Sequence, residues 1–338
     1  MLAAITWNLD PILVNLGPLQ IRYYGVMFAL TIYTGFAVWR RQALRNGETH
    51  DFAEQFLWWG VIAIVGGSRL GHVLFYEPRE YFMPWTRDGM QNGVWEQLPL
   101  FWDKISAWLD FLKFWRGGLA SHGATVGLIV ALWLFARKHG KTWFRLGDYL
   151  APAIAIAAGG VRIGNFFNSE IVGRVTDMPW GVKFLRYCNI EHISAAQCLP
   201  RHPSQLYEFS YGCITFLILL LLQRADIRRA GSGLYAGTFF VGYFGQRIIF
   251  ENFKEFQHEQ LRSHGFLGTL EQALGVHLTT GQWLSIPLVV AGIALIVRAL
   301  SQPKDAIPEP VPTPDLLPEP EVLASAKGKP DNKVKVRK

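Results

Sequence analysis

The stretch "GGVRIGNFFNSEIVGR" (Gly159–Arg174) directly follows the apolar run "YLAPAIAIAA" at 149–158. Two arginines, two asparagines and a glutamate therefore stand at the end of a segment apolar enough to lie in a bilayer. An ionisable group at membrane depth costs roughly 2.5 kcal/mol or more on insertion scales, so the cluster needs a physical reason. A polar chamber is such a reason, because irregular or polar backbone is tolerated in a membrane where it lines a cavity.

Working outward, further apolar runs lie at 21–39, 55–76, 118–136, 205–222, 233–250 and 282–299, besides the one at 148–167. Each can span the hydrocarbon core, about 30 Å at about 1.5 Å per residue. The expected fold is an all-α integral membrane protein with seven transmembrane helices. The fourth is expected to be interrupted by Pro152, the Gly159–Gly160 pair and Arg162. Composition agrees: the 338 residues include 13 Trp, 23 Phe and 33 Gly but only 17% charged side chains. The net charge of +7 does not point to nucleic acid, because no zinc-finger spacing or RNA-reading motif accompanies it. Cys188, Cys198 and Cys213 form no CxxC pair, which argues against a zinc site or dithiol motif. The start "MLAAITWNLDPILVNLGPLQ" has no positive n-region, so no cleaved signal peptide is expected.

Basic residues follow alternate spans: Arg40, Arg41 and Arg45; Arg137, Lys138, Lys141 and Arg145; Arg224, Arg228 and Arg229; and the lysine-rich end of the chain. The positive-inside rule puts these in the cytoplasm, with the N-terminus periplasmic and the C-terminus cytoplasmic. One domain is expected over 1–300. Within it, 77–117 forms a Trp-rich periplasmic segment suited to the interface, and 170–202 a periplasmic loop. The Pro-rich and basic stretch 301–338 reads as a disordered tail. Pairs of glycines four apart (Gly67 and Gly71, Gly123 and Gly127, Gly160 and Gly164, Gly233 and Gly237) indicate close helix approach.

With this orientation, Tyr24, His122, Arg162, Asn165, Glu170, "RHPSQLYE" (201–208), Arg247 and Glu251 share the outer half, and Arg69 lies about midway down the second span. Each has a plain reading. Arg247 and Glu251, four apart and on one face with Tyr243, suit an internal ion pair. His122 suits a backbone hydrogen bond, Asn165 and Asn168 suit carbonyls freed by a helix break, and Pro203 suits a helix start. Asp148 suits the start of the fourth helix. Their common level argues for more. Two permanently charged arginines suit a phosphate, and a histidine suits proton transfer near neutral pH. No GxSxG, HExxH or Walker loop is present, which leaves the nucleophile to the substrate. An anion transporter or a noncatalytic lipid-binding protein remain alternatives, although "LIVALWLF" (128–135) and "ITFLILLLL" (214–222) leave the inner halves nearly bare.

Taken with "IRYYG" (21–25), "GSRLGHVLFY" (67–76), "SHGATVG" (121–127), "HPSQLYE" (202–208) and "YFGQRIIFE" (243–251), the opening stretch resembles the bacterial phosphatidylglycerol–prolipoprotein diacylglyceryl transferases over roughly 18–300. The resemblance implies transfer of diacylglyceryl from phosphatidylglycerol to the lipobox cysteine of a prolipoprotein, giving a thioether and glycerol 1-phosphate. It implies catalytic roles for His122, Arg162, Arg247 and Glu170, and substrate-binding roles for Tyr24, Arg69, Asn165, Gly173, His202, Tyr243 and Glu251. Partners would be the lipid, the prolipoprotein signal peptide with its cysteine, and the surrounding inner-membrane bilayer. No metal or other cofactor is expected, and no nucleic acid. Ala124 stands where the family commonly has a second glycine, and the 77–117 segment is longer than the family's minimum. Cys188 and Cys198 fall in one outward loop, where a disulfide is chemically possible.

Overall fold

A computed structural model describes residues 5–17, 19–75, 121–225, 230–255 and 278–303. The expected interfacial segment at 77–117 lies outside the described residues, as does nearly all of the 301–338 tail.

Long helices dominate: α1 (Tyr23–Arg45), α2 (His50–Phe75), α3 (Ser121–Lys138), α4 (Trp143–Phe167), and, after the short α5 (Leu185–Ile190), α6 (Ser204–Arg224). A composite run follows: α7 (Leu234–Phe239), a π turn (Phe240–Phe244), α8 (Gly245–Phe250) and a 3-10 turn (Glu251–Phe253). The last helix is α9 (Thr280–Ser301). Among the described residues four helices are long and apolar enough to cross a membrane: His50–Val73, Trp143–Phe167, Ser204–Arg224 and Gly281–Ser301. Their outward faces carry exposed Trp58, Ile62, Leu217 and Val290, the pattern of a protein solvated by lipid.

The molecule is not purely helical. Strands β1 (Ile5–Trp7), β2 (Ile12–Leu16), β3 (Leu19–Arg22) and β4 (Val182–Phe184) form two small sheets, β1 parallel to β4 and β2 antiparallel to β3. Such short strands carry too little periodicity to show in a sequence.

α4 sits at the centre, packed between α1 and α6 with α7 on its flank. It is continuous, contrary to the expected interruption. Pro152 removes one hydrogen-bond donor, but the flanking helices hold the remaining rungs, and the chain leaves the helix only at Asn168. Neighbours run antiparallel. A Cβ on Gly160 would meet Thr31 Oγ1 at 2.7 Å and one on Gly164 would meet Tyr24 Cδ2 at 3.0 Å, which aligns the end of α4 with the start of α1. Gly159 faces Phe209 and Gly212 of α6, and Gly237 of α7 faces Gly292 of α9, in the same manner. The closest seam is α2 with α3, where a Cβ on Gly123 would stand 2.1 Å from the Gly67 carbonyl oxygen. Backbones can approach so closely only where side chains are missing, as the four-residue spacing suggests.

This alternation brings the ends of α2, α4 and α8 and the starts of α1, α3, α6 and α9 to one end. At the opposite end the last turns of α1, α3, α6 and α9 carry Arg45, Arg137, Lys138, Arg224 and Arg298. An aromatic core of Trp39, Phe52, Phe56, Phe135 and Tyr149 joins α1 to α4 near that end.

Asp148 corrects the sequence reading. α4 begins earlier, at Trp143, capped by Thr142, whose Oγ1 accepts from Arg145 N at 3.3 Å. Asp148, fully buried, instead accepts from the backbone N–H groups of Gly231, Gly233 and Ala236 at 2.8, 2.9 and 2.9 Å. It thus caps the N-terminus of α7 from another helix, and Gly233 takes the φ of +90° that this entry requires.

Candidate functional site

Six of the expected site residues meet at the end of the bundle where α1 and α6 start and α4 and α8 finish. The centre is a carboxylate not singled out from sequence, Glu208, on the second turn of α6 and 2% exposed. Arg162 Nε lies 2.5 Å from Glu208 Oε2, and Lys254 Nζ is paired with Glu208 Oε1. Arg247 also faces Glu208 and Tyr211, and Tyr243 and Tyr211 lie against Arg162. Lys254 reaches a second carboxylate, Glu251 Oε2, at 3.1 Å. Three cations thus surround two carboxylates, leaving a positive excess suited to an anion.

Arg247 and Glu251 are not ion-paired with each other, contrary to the plain reading of their spacing. That reading assumed one regular helix. The regular helix ends at Phe250 and Glu251 opens a 3-10 turn, so the second partner no longer continues the helix that carries Arg247. Glu251 packs against Gly281 in the first turn of α9, where a Cβ would stand 2.8 Å from its Oε1. There the positive end of the helix also favours it. Among the described residues Arg247 Nε and the Tyr211 hydroxyl are buried without hydrogen-bond partners. Unpaired buried polar atoms are rare, and here they converge on one cationic cage.

Beside the cage, Arg162 Nη1 donates to Asn165 Oδ1 at 3.4 Å, and Asn165 Nδ2 donates to Glu170 Oε2 at 3.2 Å. Asn168 Nδ2 donates to the other Glu170 oxygen at 3.1 Å. Glu170 sits between Ser169 and Ile171, both at φ of 56°, a conformation costly for any L-residue and especially for a β-branched one. The turn is held by Gln205 Nε2, which donates to the Glu170 carbonyl at 2.6 Å, and by Ser204 Oγ, which donates to that of Ile171 at 2.6 Å. "HPSQLYE" thereby gains a role: it begins α6 and fastens the Glu170 turn.

Tyr24 packs on Gly164, one residue before Asn165. Gly173 and His202 are adjacent but belong to a backbone seam. A Cβ on Gly173 would stand 2.5 Å from the His202 carbonyl and 2.7 Å from that of Phe253. The His202 ring meets Tyr207, Nδ1 to hydroxyl 3.0 Å, and burial lowers its pKa against the opposing pull of Asp177. Pro203 is the N-cap of α6. Arg69 is buried in the last two turns of α2, further along than midway, and is not among the residues seen around Glu208. His122 occupies the first turn of α3 beside the α2 seam, and its side chain lies outside the described residues.

Lys254 and Glu208 are the residues that sequence reasoning passed over. The signal for Glu208 was its place four residues after Ser204 in "HPSQLYE", which sets it on the second turn of a span. Lys254 stands three residues after Glu251, a spacing that suits a pair, but its other partner, Glu208, lies on a different helix and left no trace in the spacing.

A helical bundle with four helices apolar enough to cross a membrane, and a buried cationic cage at one end, defines the class as a multi-pass membrane protein. The chain belongs to the prolipoprotein diacylglyceryl transferase family, whose model matches residues 11–298, and is therefore a transferase. It is 37% identical over 301 residues to the phosphatidylglycerol–prolipoprotein diacylglyceryl transferase of Pseudoalteromonas atlantica, covering 88% of this chain and 92% of the relative. Proteins of the same name from Nitrosomonas europaea (37% over 293 residues, 86% and 90% covered) and Cupriavidus necator (36% over 310 residues, 89% and 97% covered) are similar.

Proposed function

We propose that this protein transfers the diacylglyceryl group of phosphatidylglycerol to the lipobox cysteine thiol of prolipoproteins, forming a thioether and releasing glycerol 1-phosphate, the first step of lipoprotein maturation. The substrate sulfur attacks the glycerol carbon, the carbon–oxygen bond to phosphate breaks, and negative charge grows on the phosphate oxygens. Arg162 and Arg247 stabilise that charge, because guanidinium groups held in place in a low-dielectric site need no reorganisation as the reaction proceeds. Glu208 holds the anion's seat until the lipid arrives. The Glu170 network orients Arg162 through Asn165. His122 takes the thiol proton, since a free thiol with pKa about 8.5 is mostly protonated at neutral pH.

The supporting observation is the convergence of Arg162, Arg247 and Lys254 on one buried carboxylate with Arg247 Nε left unpaired. The bundle in this reading has seven transmembrane helices in the bacterial inner membrane, with the N-terminus and the active site at the periplasmic leaflet. It forms one domain over 1–300, and residues 170–202 pack over the site as a periplasmic loop. The basic helix ends favour that orientation. Tyr24, Gly173, His202, Tyr243 and Glu251 shape the headgroup region, and Arg69 serves the lipid from α2.

The test supplies purified protein with phosphatidylglycerol vesicles and a lipobox cysteine peptide, together and singly. Glycerol phosphate is expected only when both are present. Release without the peptide, or no release at all, refutes the reading.

A further inference from the structure

Lys254 enters the cationic cage from a segment anchored outside it. Lys254 is extended, with φ −79° and ψ 150°, so its side chain and that of Glu255 point to opposite faces. Lys254 reaches inward to Glu208 and Glu251, while Glu255 reaches outward to a second cluster. There Glu255 Oε2 accepts from Arg201 Nη1 at 2.5 Å and from the Tyr187 hydroxyl at 2.6 Å. Arg201, 7% exposed, also donates from Nη1 to the Gly173 carbonyl at 3.1 Å, and its guanidinium lies 4.6 Å from the centre of the Tyr187 ring. Backbone pairing adds to this. Gly173 bridges Lys254, Arg174 N donates to Phe253 O at 2.9 Å, and Arg174 Nε donates to Lys254 O at 3.0 Å.

The two arms of this cluster are covalently joined. Cys188, next to Tyr187, is bonded to Cys198, three residues before Arg201, and both cysteines are 1% exposed. If the cluster served stability alone, apolar side chains would do as well, since desolvating an ion pair consumes most of its gain. Fixed direction is what an ionic clamp supplies and an apolar contact does not. A carboxylate held by a guanidinium and a phenol keeps one orientation, and the neighbouring residue in an extended chain is then oriented too.

We propose that Arg201 and Tyr187, whose segments the Cys188–Cys198 disulfide joins, grip Glu255 as a positioning clamp that holds Lys254 on Glu208 and thereby sets the charge geometry of the lipid-headgroup cage. This rests on the proposed reaction, in which that cage grips the phosphate. The clamp residues touch no substrate and act through Lys254.

A double-mutant cycle tests it. Transfer from phosphatidylglycerol vesicles to the cysteine peptide is measured as kcat/KM for Glu255→Gln, Arg201→Ala and Tyr187→Phe, each with Lys254 present and with Lys254→Met. Unfolding midpoints are recorded alongside. With Lys254 present, Glu255→Gln and Arg201→Ala lower kcat/KM about tenfold, within the range of coupled neighbours, and Tyr187→Phe lowers it less. In the Lys254→Met background the same changes cost less than about twofold. Arg201→Lys, which keeps the charge, recovers part of the loss. Tyr187→Phe and Glu255→Gln are close to isosteric, so a misfolded Arg201→Ala does not spoil the test. Equal losses in both backgrounds, or no loss with Lys254 present, overturns the clamp. An inactive unsubstituted protein would instead overturn the proposed reaction.

Discussion

The seam between α2 and α3 allows a prediction with a worked magnitude. Gly123→Ala places a Cβ 2.1 Å from the Gly67 carbonyl oxygen and 2.8 Å from Gly71 Cα, short of ordinary 3.4 Å contact by about 1.3 Å at the tighter point. Both obstacles are backbone and neither can rotate away, so the helices must part by about 1 Å. Overpacking of this kind costs about 1–3 kcal/mol. Lipid competes equally for the opened surface, so no hydrophobic force closes the seam again. The adjacent residue on the same turn is His122, the base in the proposed reaction, and if it has that role a displacement of about 1 Å there lowers turnover by about 10²-fold. Gly66→Ala is the control, because nothing lies within 4 Å of the added carbon, and its effect stays within about 0.5 kcal/mol. The assay is reversible unfolding in mixed detergent micelles together with transfer to the cysteine peptide. If Gly123→Ala matches Gly66→Ala in both, the close seam and its link to His122 are wrong.

Arg162→Ala leaves the Glu208 carboxylate short of a partner and destabilises the fold by about 3–5 kcal/mol, as breaking buried pairs does. Adding Glu208→Gln restores most of that stability in the same unfolding assay but none of the turnover. Asp148→Ala strands the N–H groups of Gly231, Gly233 and Ala236 and costs at least about 2 kcal/mol. Asp148→Asn, keeping one acceptor oxygen, costs less, and unfolding midpoints of the two variants decide. His202, lowered by burial from 6.5, binds its proton more weakly folded than unfolded, so its contribution is intact above pH 6.5 and is lost as pH falls through the folded value. His202→Gln is expected to flatten the fall in unfolding midpoint between about pH 7 and 5 relative to the unsubstituted protein. An identical slope in both proteins refutes this.

Much of the bundle was legible because its cause is local. Each long helix coincides with an apolar run of the sequence, four of them apolar enough to cross a membrane, and the glycine pairs marked where helices approach closely. The fourth helix was misjudged for a local reason too: Pro152 and the glycines weaken an isolated helix, and only the packing of α1 and α6 against it offsets that. The site was half legible. Arg162, Asn165 and Glu170 are close in sequence and touch in space. The plain reading of Arg247 and Glu251 as an ion pair failed because the regular helix ends between them, with Glu251 opening a 3-10 turn. No composition or spacing reports where a helix tightens into a 3-10 turn.

The sequence by itself determined that the chain builds apolar helices with basic ends and gathers its costly polar groups towards one end, since burial cost and charge placement depend on residue type. Only the tertiary structure decided that Glu208 faces Arg162 and Lys254, that Asp148 caps a helix other than its own, and that Arg201 grips Glu255. Each of those contacts joins distant segments, and whether two side chains meet depends on helix rotation and register, which are set by the packing of the whole molecule.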